Sequence, residues 1–154
     1  MTAIDAADER VRNVRLDVTY DTIQDAIDEA TDGDVIAVRA GSYCETLRCD
    51  RSLTIEAIGD GVAVVMPPPN WNALVAYGDH KITMKGLAIY LLGTSTLAVS
   101  DRATISIIGC SVRGEGEATL GDLGARAQLR IVGTAISGLG PLAVEASPVA
   151  LAVA

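Results

Sequence analysis

Phenylalanine is absent from the 154 residues, and aromatic side chains make up only 3% of them. A core must therefore be assembled from Val, Ile, Leu and Ala. The chain has one histidine, three cysteines and no CxxC pair. A structural zinc site usually takes four Cys/His ligands, so a zinc centre would consume every such residue. Cys44, Cys49 and Cys110 are read instead as small buried hydrophobes, and no metal or cofactor is expected. No apolar run approaches the roughly 20 residues of a membrane-spanning helix. The formal charge of −8 disfavours nucleic acid and anionic membranes as partners, because their phosphates repel it. The N-terminus, MTAIDAADERVRN, is polar and lacks the apolar stretch of a signal peptide. That points to a cytoplasmic or nuclear protein, or to a virion component made there.

What is present is an ordinary globular balance, 49% apolar and 21% charged, in a chain of single-domain length. Residues 1–13 read as a flexible tail and residues 14–154 as one domain. VRLDV, Val14–Val18, alternates and predicts a strand. One segment has helical periodicity, about residues 22–31. Ile23, Ala26, Ile27 and Ala30 there form one apolar stripe. Asp21 with Gln24 makes a capping-box-like start, Thr22 is the other N-cap candidate, and Gly33 is the expected stop.

From Asp34 onward short apolar alternations are broken by Gly, Asn, Asp or Pro, and they repeat. LTIEAIGD starts at Leu53, ITMKGLAI at Ile82, ISIIGCSV at Ile105 and LRIVGTAI at Leu129, in steps of 29, 23 and 24 residues. Gly86, Gly109 and Gly133 hold one place in the last three. A single coil of this length cannot bury its own inward side chains, but stacked coils bury them against their like. The expected inward rows are Leu53, Ile82, Ile105 and Leu129; Ile55, Met84, Ile107 and Ile131; Leu87, Cys110 and Thr134; and Ile89, Val112 and Ile136. These make about five coils over residues 34–154, with the helix as a cap.

The segment TIQDAIDEATDGDVIAVRAGSYCETLRCDRSLTIEAIGDG resembles the start of the pectin-lyase-like right-handed parallel β-helix superfamily. The matching residues are Thr22, Ile23, Gln24 and Ala26; Gly33, Asp34, Ile36 and Val38; Gly41, Tyr43 and Glu45; and Leu53, Thr54 and Ile55. The likeness covers about residues 20–154. It implies an all-β fold, a short right-handed parallel β-helix with an N-terminal capping helix. It also makes Tyr43 and Glu45 framework residues, because the motif recurs among members of different activity and a fold does not fix a function.

Lyases and esterases of that superfamily work on the outer face of a parallel sheet. The outward rows here are Thr54, Thr83, Ser106 and Arg130, and Glu56, Lys85, Ile108 and Val132. No two carboxylates are neighbours in them, so calcium coordination and paired-carboxylate hydrolysis have no basis on this face. Glu56 and Lys85 are placed for an exposed ion pair. Asp79, Asp101, Glu115, Glu117 and Asp122 fall on turns, where Asp is favoured for local reasons. An Asp79–His80 pair is conceivable, but no nucleophile is placed beside it. MPPPNWN predicts a stiff loop around Trp71, packed by its own indole; with Tyr77 and Tyr90 this ring is also a candidate for sugar stacking.

The expected function is a non-catalytic β-helix serving as a structural or protein-interaction module of a larger assembly. The alternative is a carbohydrate-binding or carbohydrate-active protein. Outward Ile108 and Val132 suit a protein partner. Leu151 and Val153 begin a coil that PLAVEASPVALAVA does not complete, so self-association is expected to cover Leu142, Val144, Val149, Leu151 and Val153.

Overall fold

The computed structural model describes residues 10–116, 118, 122–123, 126–138, 143–144 and 151–153. Two short strands, β1 (Val11–Asn13) and β2 (Val18–Tyr20), precede the helix α1 (Ile23–Glu29). The chain then winds through rungs of three strands. The first rung is β3 (Asp34–Val38), β4 (Gly41–Tyr43) and β5 (Leu47–Cys49). The second is β6 (Leu53–Ala57), β7 (Ala63–Val65) and β8 (Leu74–Ala76). The third is β9 (Lys81–Lys85), β10 (Ala88–Gly93) and β11 (Leu97–Val99). Then follow β12 (Thr104–Ile108), β13 (Ser111–Gly116) and β14 (Asp122–Leu123). The last described strands are β15 (Gln128–Val132), β16 (Ala135–Ser137), β17 (Ala143–Val144) and β18 (Leu151–Val153).

Like strands stack in parallel on the next rung and make three sheets. The largest has the order β18-β15-β12-β9-β6-β3-β1-β2, in which only β1 and β2 are antiparallel additions. The described residues make a β-solenoid of about four turns with one short helix.

The register follows the sequence repeat. Leu53, Ile82, Ile105 and Leu129 pair in one column, and Ile55, Met84, Ile107 and Ile131 in another. All eight side chains are buried. In the second sheet Tyr43, Val65, Ile89, Val112 and Ile136 form a column. Tyr43 heads it, buried, while Ile136 at the other end is 42% exposed. Ile136 was expected inside. It lies in the row, but among the described residues β16 is the last strand of its sheet, so no further described strand of that sheet covers it.

Gly86, Gly109 and Gly133 have φ of +68°, +60° and +55°, a region costly for other residues. Each follows a strand of the largest sheet, at the bend into the second sheet. The Gly86 and Gly109 N–H groups donate to Ile108 and Val132 carbonyls of the next rung, so the bend also carries a rung-to-rung bond.

The N-terminal elements differ from the sequence reading. Val14–Val18 spans a turn and only the first residue of β2, not a strand. Strand β1 lies at Val11–Asn13, inside the segment expected as a tail, and pairs antiparallel with β3. The helix is shorter than residues 22–31. Its N-cap is Thr22, whose hydroxyl accepts from the Asp25 N–H at 3.1 Å, and not Asp21. Its end is not Gly33. Ala30 already leaves the helix in an extended conformation, and Gly33 (φ +92°) serves the later turn into β3. The stripe itself is as read: Ile23, Ala26 and Ile27 are buried against the first rung.

Replacing Ile27 by Asp would place an unpaired charge at a fully packed position. The expected loss is about 3 kcal/mol or more in urea unfolding, against about 0.5 kcal/mol or less for Val62→Asp on the surface. Equal midpoints for the two variants would show that the helix does not seal the core.

Candidate functional site

The motif residues that carry polar chemistry converge on the helix. Glu45 lies just before β5, and its carboxylate accepts the Ile23 and Gln24 N–H groups at 3.0 and 2.9 Å. These are first-turn donors with no partner inside the helix, so the carboxylate of the first rung caps α1. The Gln24 side chain returns the contact. Its amide oxygen accepts the Arg48 N–H at 2.7 Å and its amide nitrogen donates to the Arg48 carbonyl at 3.1 Å. At the other end, Arg51 Nη1 sits 2.8–3.0 Å from the Ile27, Asp28 and Ala30 carbonyls. A cation there suits the negative end of the helix dipole.

Tyr43 is tied in the same way. Its hydroxyl donates to the Arg39 carbonyl at 2.7 Å, and the Arg10 carbonyl lies 3.2 Å away. The Arg10 guanidinium stacks over the ring at 4.4 Å. Tyr43 and Glu45 thus join the first rung to the N-terminal elements.

Asp34 stands at the head of the column that continues with Leu53, where a carboxylate is 2% exposed. It accepts from Arg15 Nε at 2.5 Å, Asn13 Nδ2 at 2.9 Å and the Thr31 N–H at 2.9 Å. The Arg15 guanidinium, with Asn13 and Thr31, holds its carboxyl well below the usual carboxylate range, against the opposing effect of burial. The network welds β1 and the following turn to the first rung.

The other candidate groups are dispersed. Trp71 is not packed into its own loop; its residue is 58% exposed, on a turn in which its N–H donates to the Pro68 carbonyl. Tyr77 is also exposed, in the turn after β8. Tyr90 lies on β10, donates to Glu115 at 3.0 Å and is covered by Arg113 at 5.5 Å. The three rings thus occupy three different segments, and the Tyr90 face is taken by a cation. His80 has Asp32 as its nearest carboxylate, 3.8 Å from Nδ1, and not Asp79. Glu56 and Lys85 pair by register but form no ion pair within 4 Å.

Of the cysteines, Cys49 and Cys110 are buried as expected, whereas Cys44 is exposed, since it falls in the irregular link between β4 and β5. Burial pushes the Cys49 thiol up to about 12 and raises that of Cys110. Both are accordingly poor nucleophiles at neutral pH. No cluster of three or more His, Cys, Asp or Glu suited to a metal occurs among the described residues.

Ile108 and Val132 are neighbours on the outer face of the largest sheet, both half-buried. Val144, Leu151 and Val153 lie in β17 and β18; Leu142 and Val149 are outside the described residues.

One feature was not read from the sequence. The turns before β9, β12 and β15 stack, and bring Gly78, Asp79, Asp101, Arg102 and Arg126 around a cleft of about 500 Å³. The signal was available: Asp79, Arg102 and Arg126 each stand two residues before the paired positions Lys81, Thr104 and Gln128.

The chain is similar to a cell surface glycoprotein of Methanothermus fervidus, 38% identical over 91 residues. That match covers 58% of this chain and 15% of the relative. The chain therefore spans a small part of the curated relative it matches. No family model matches, and no solved structure does. Asn13, Asn70 and Asn72 are followed two places on by Arg15, Asn72 and Leu74, so none of the three asparagines here is an N-x-Ser/Thr glycosylation acceptor. No helix among the described residues is long and apolar enough to cross a membrane.

The Asp34 network sets a pH dependence. Its folded-state acidity exceeds that of an unfolded Asp, whose pKa is about 3.9. Its contribution is therefore full above that value and is lost as pH falls toward the lower folded-state value. Asp34→Asn should lower the urea midpoint at pH 7 and flatten its fall between about pH 5 and pH 2. Parallel wild-type and variant curves would show that another carboxylate governs acid unfolding.

Proposed function

We propose that this domain is a non-catalytic, right-handed parallel β-helix of the pectin-lyase-like kind, acting as a structural module of a larger assembly at the cell surface. One observation carries the reading: the polar residues of the shared motif are spent on internal joints. Glu45 and Gln24 bind the helix to the first rung, Tyr43 binds backbone carbonyls, and Asp34 binds Asn13, Arg15 and Thr31. The limited likeness to a cell surface glycoprotein supports the setting. Right-handed winding follows the general handedness of parallel β crossovers.

The partner in this reading is another protein surface, in the first place a second copy of this chain. The described part of the largest sheet ends at β18, and a strand added there would pair its open N–H and C=O groups. Ile108 and Val132 offer a second, side-by-side contact. Sedimentation at micromolar concentration should show a dimer that Leu151→Asp with Val153→Asp dissolves. A monomer would remove the end-to-end contact, and a dimer that survives the double variant would move it to the Ile108 face.

A glycan-binding role is the second reading, favoured by the exposure of Trp71 and Tyr77. The purified domain should give no turnover of polygalacturonate, with or without calcium, and no signal on a glycan array. A signal lost on Trp71→Ala would instead establish the second reading.

A further inference from the structure

The cleft between the stacked turns gathers four charged side chains, of which Asp101 also serves the framework. Asp79 lies in the turn before β9, Asp101 and Arg102 in the turn before β12, and Arg126 in the turn before β15. The register puts Asp79, Arg102 and Arg126 in one row, at about 4.8 Å per rung. Asp79 thus stands nearest the helix end of the solenoid and Arg126 farthest from it, with Asp101 and Arg102 on the rung between.

Arg102 and Arg126 are like charges on adjacent rungs, and an anion between them relieves their repulsion. Among the described residues, neither has a carboxylate within 4 Å or a side-chain hydrogen bond. Asp101 is held in place. It adopts φ of 55°, and its Oδ2 accepts the Gly78 N–H at 2.9 Å. Gly78 has φ of +80°, a region that disfavours a side chain there.

We propose that this cleft binds a small zwitterion bearing a carboxylate and an ammonium group, as a free amino acid or a short peptide does. The carboxylate lies between Arg102 and Arg126, where two forks of donors match its oxygens. The ammonium group lies against Asp79 and Asp101. A plain anion fits less well, because the two carboxylates repel it. A plain cation meets the reverse problem. The volume, about 500 Å³, suits a small ligand, for which pockets run from about 300 to 1,000 Å³. Exposed pairs of this kind are individually weak and screened by salt, so the two ends must act together. The structural role proposed above does not depend on this site.

The test is calorimetric or NMR titration of the purified domain at low salt with four probes: L-alanine, L-alanyl-L-alanine, N-acetyl-L-alanine and L-alaninamide. At least one zwitterion should bind saturably, in the range of about 1 mM, and both blocked probes should bind at least about tenfold more weakly. The tighter zwitterion tells a free amino acid from a peptide. Arg126→Gln and Asp79→Asn should each weaken it by about tenfold, the effect of losing a charged hydrogen bond. Both residues are exposed, so the melting temperatures should match wild type. No saturable zwitterion binding up to about 10 mM, equal affinity for N-acetyl-L-alanine, or affinity unchanged in both variants would overturn the proposal.

Discussion

A rung of this chain is too thin to shelter its own side chains, and the whole structure answers that constraint. Each inward Leu, Ile, Met or Val is covered chiefly by its counterpart one rung away. Ile55, Met84, Ile107 and Ile131 are buried because they stand in line, not because any one strand is hydrophobic enough alone. The chain can do without phenylalanine for the same reason. Aliphatic side chains stack in register from rung to rung and fill the described core. Tyr43 is the exception, and it sits at the head of a column.

The ends are where this solution becomes expensive. The first rung has no rung before it, so the chain covers it with a short helix and an antiparallel hairpin. A helix of seven residues is marginal by itself. Here both its ends are served by the solenoid, Glu45 at the start and Arg51 at the finish. The buried Asp34 does comparable work for the hairpin through Arg15 and Asn13. Motif residues that look catalytic in isolation, namely a tyrosine, a glutamate, a glutamine and a buried aspartate, are thus joints between the first rung and its cover.

The turns follow a different logic from the columns. Their positions recur by the same count, but their side chains face water and are free to vary. Successive turns therefore place unlike charges beside one another at rung spacing. The cleft of Asp79, Asp101, Arg102 and Arg126 arises in this way. A surface built by repetition can gather groups separated by more than twenty residues into one site without any long loop.

Much of the architecture was legible in the chain itself. The recurrence of LTIEA, ITMKG, ISIIG and LRIVG determined the stacking, since only one register buries all their alternate residues. The glycines at 86, 109 and 133 determined where the rungs bend, because their φ values are open to few other residues. The tertiary structure alone decided what local patterns cannot encode. VRLDV alternates like a strand yet spans a turn, because β1 found its partner in β3. Ile136 keeps the periodicity of its column yet remains exposed, because burial depends on a neighbour above. Glu45 meets the helix across more than twenty residues of chain, and the charged cleft exists only where three turns stack. Sequence fixes which side of a strand is apolar; which groups meet depends on where the chain returns.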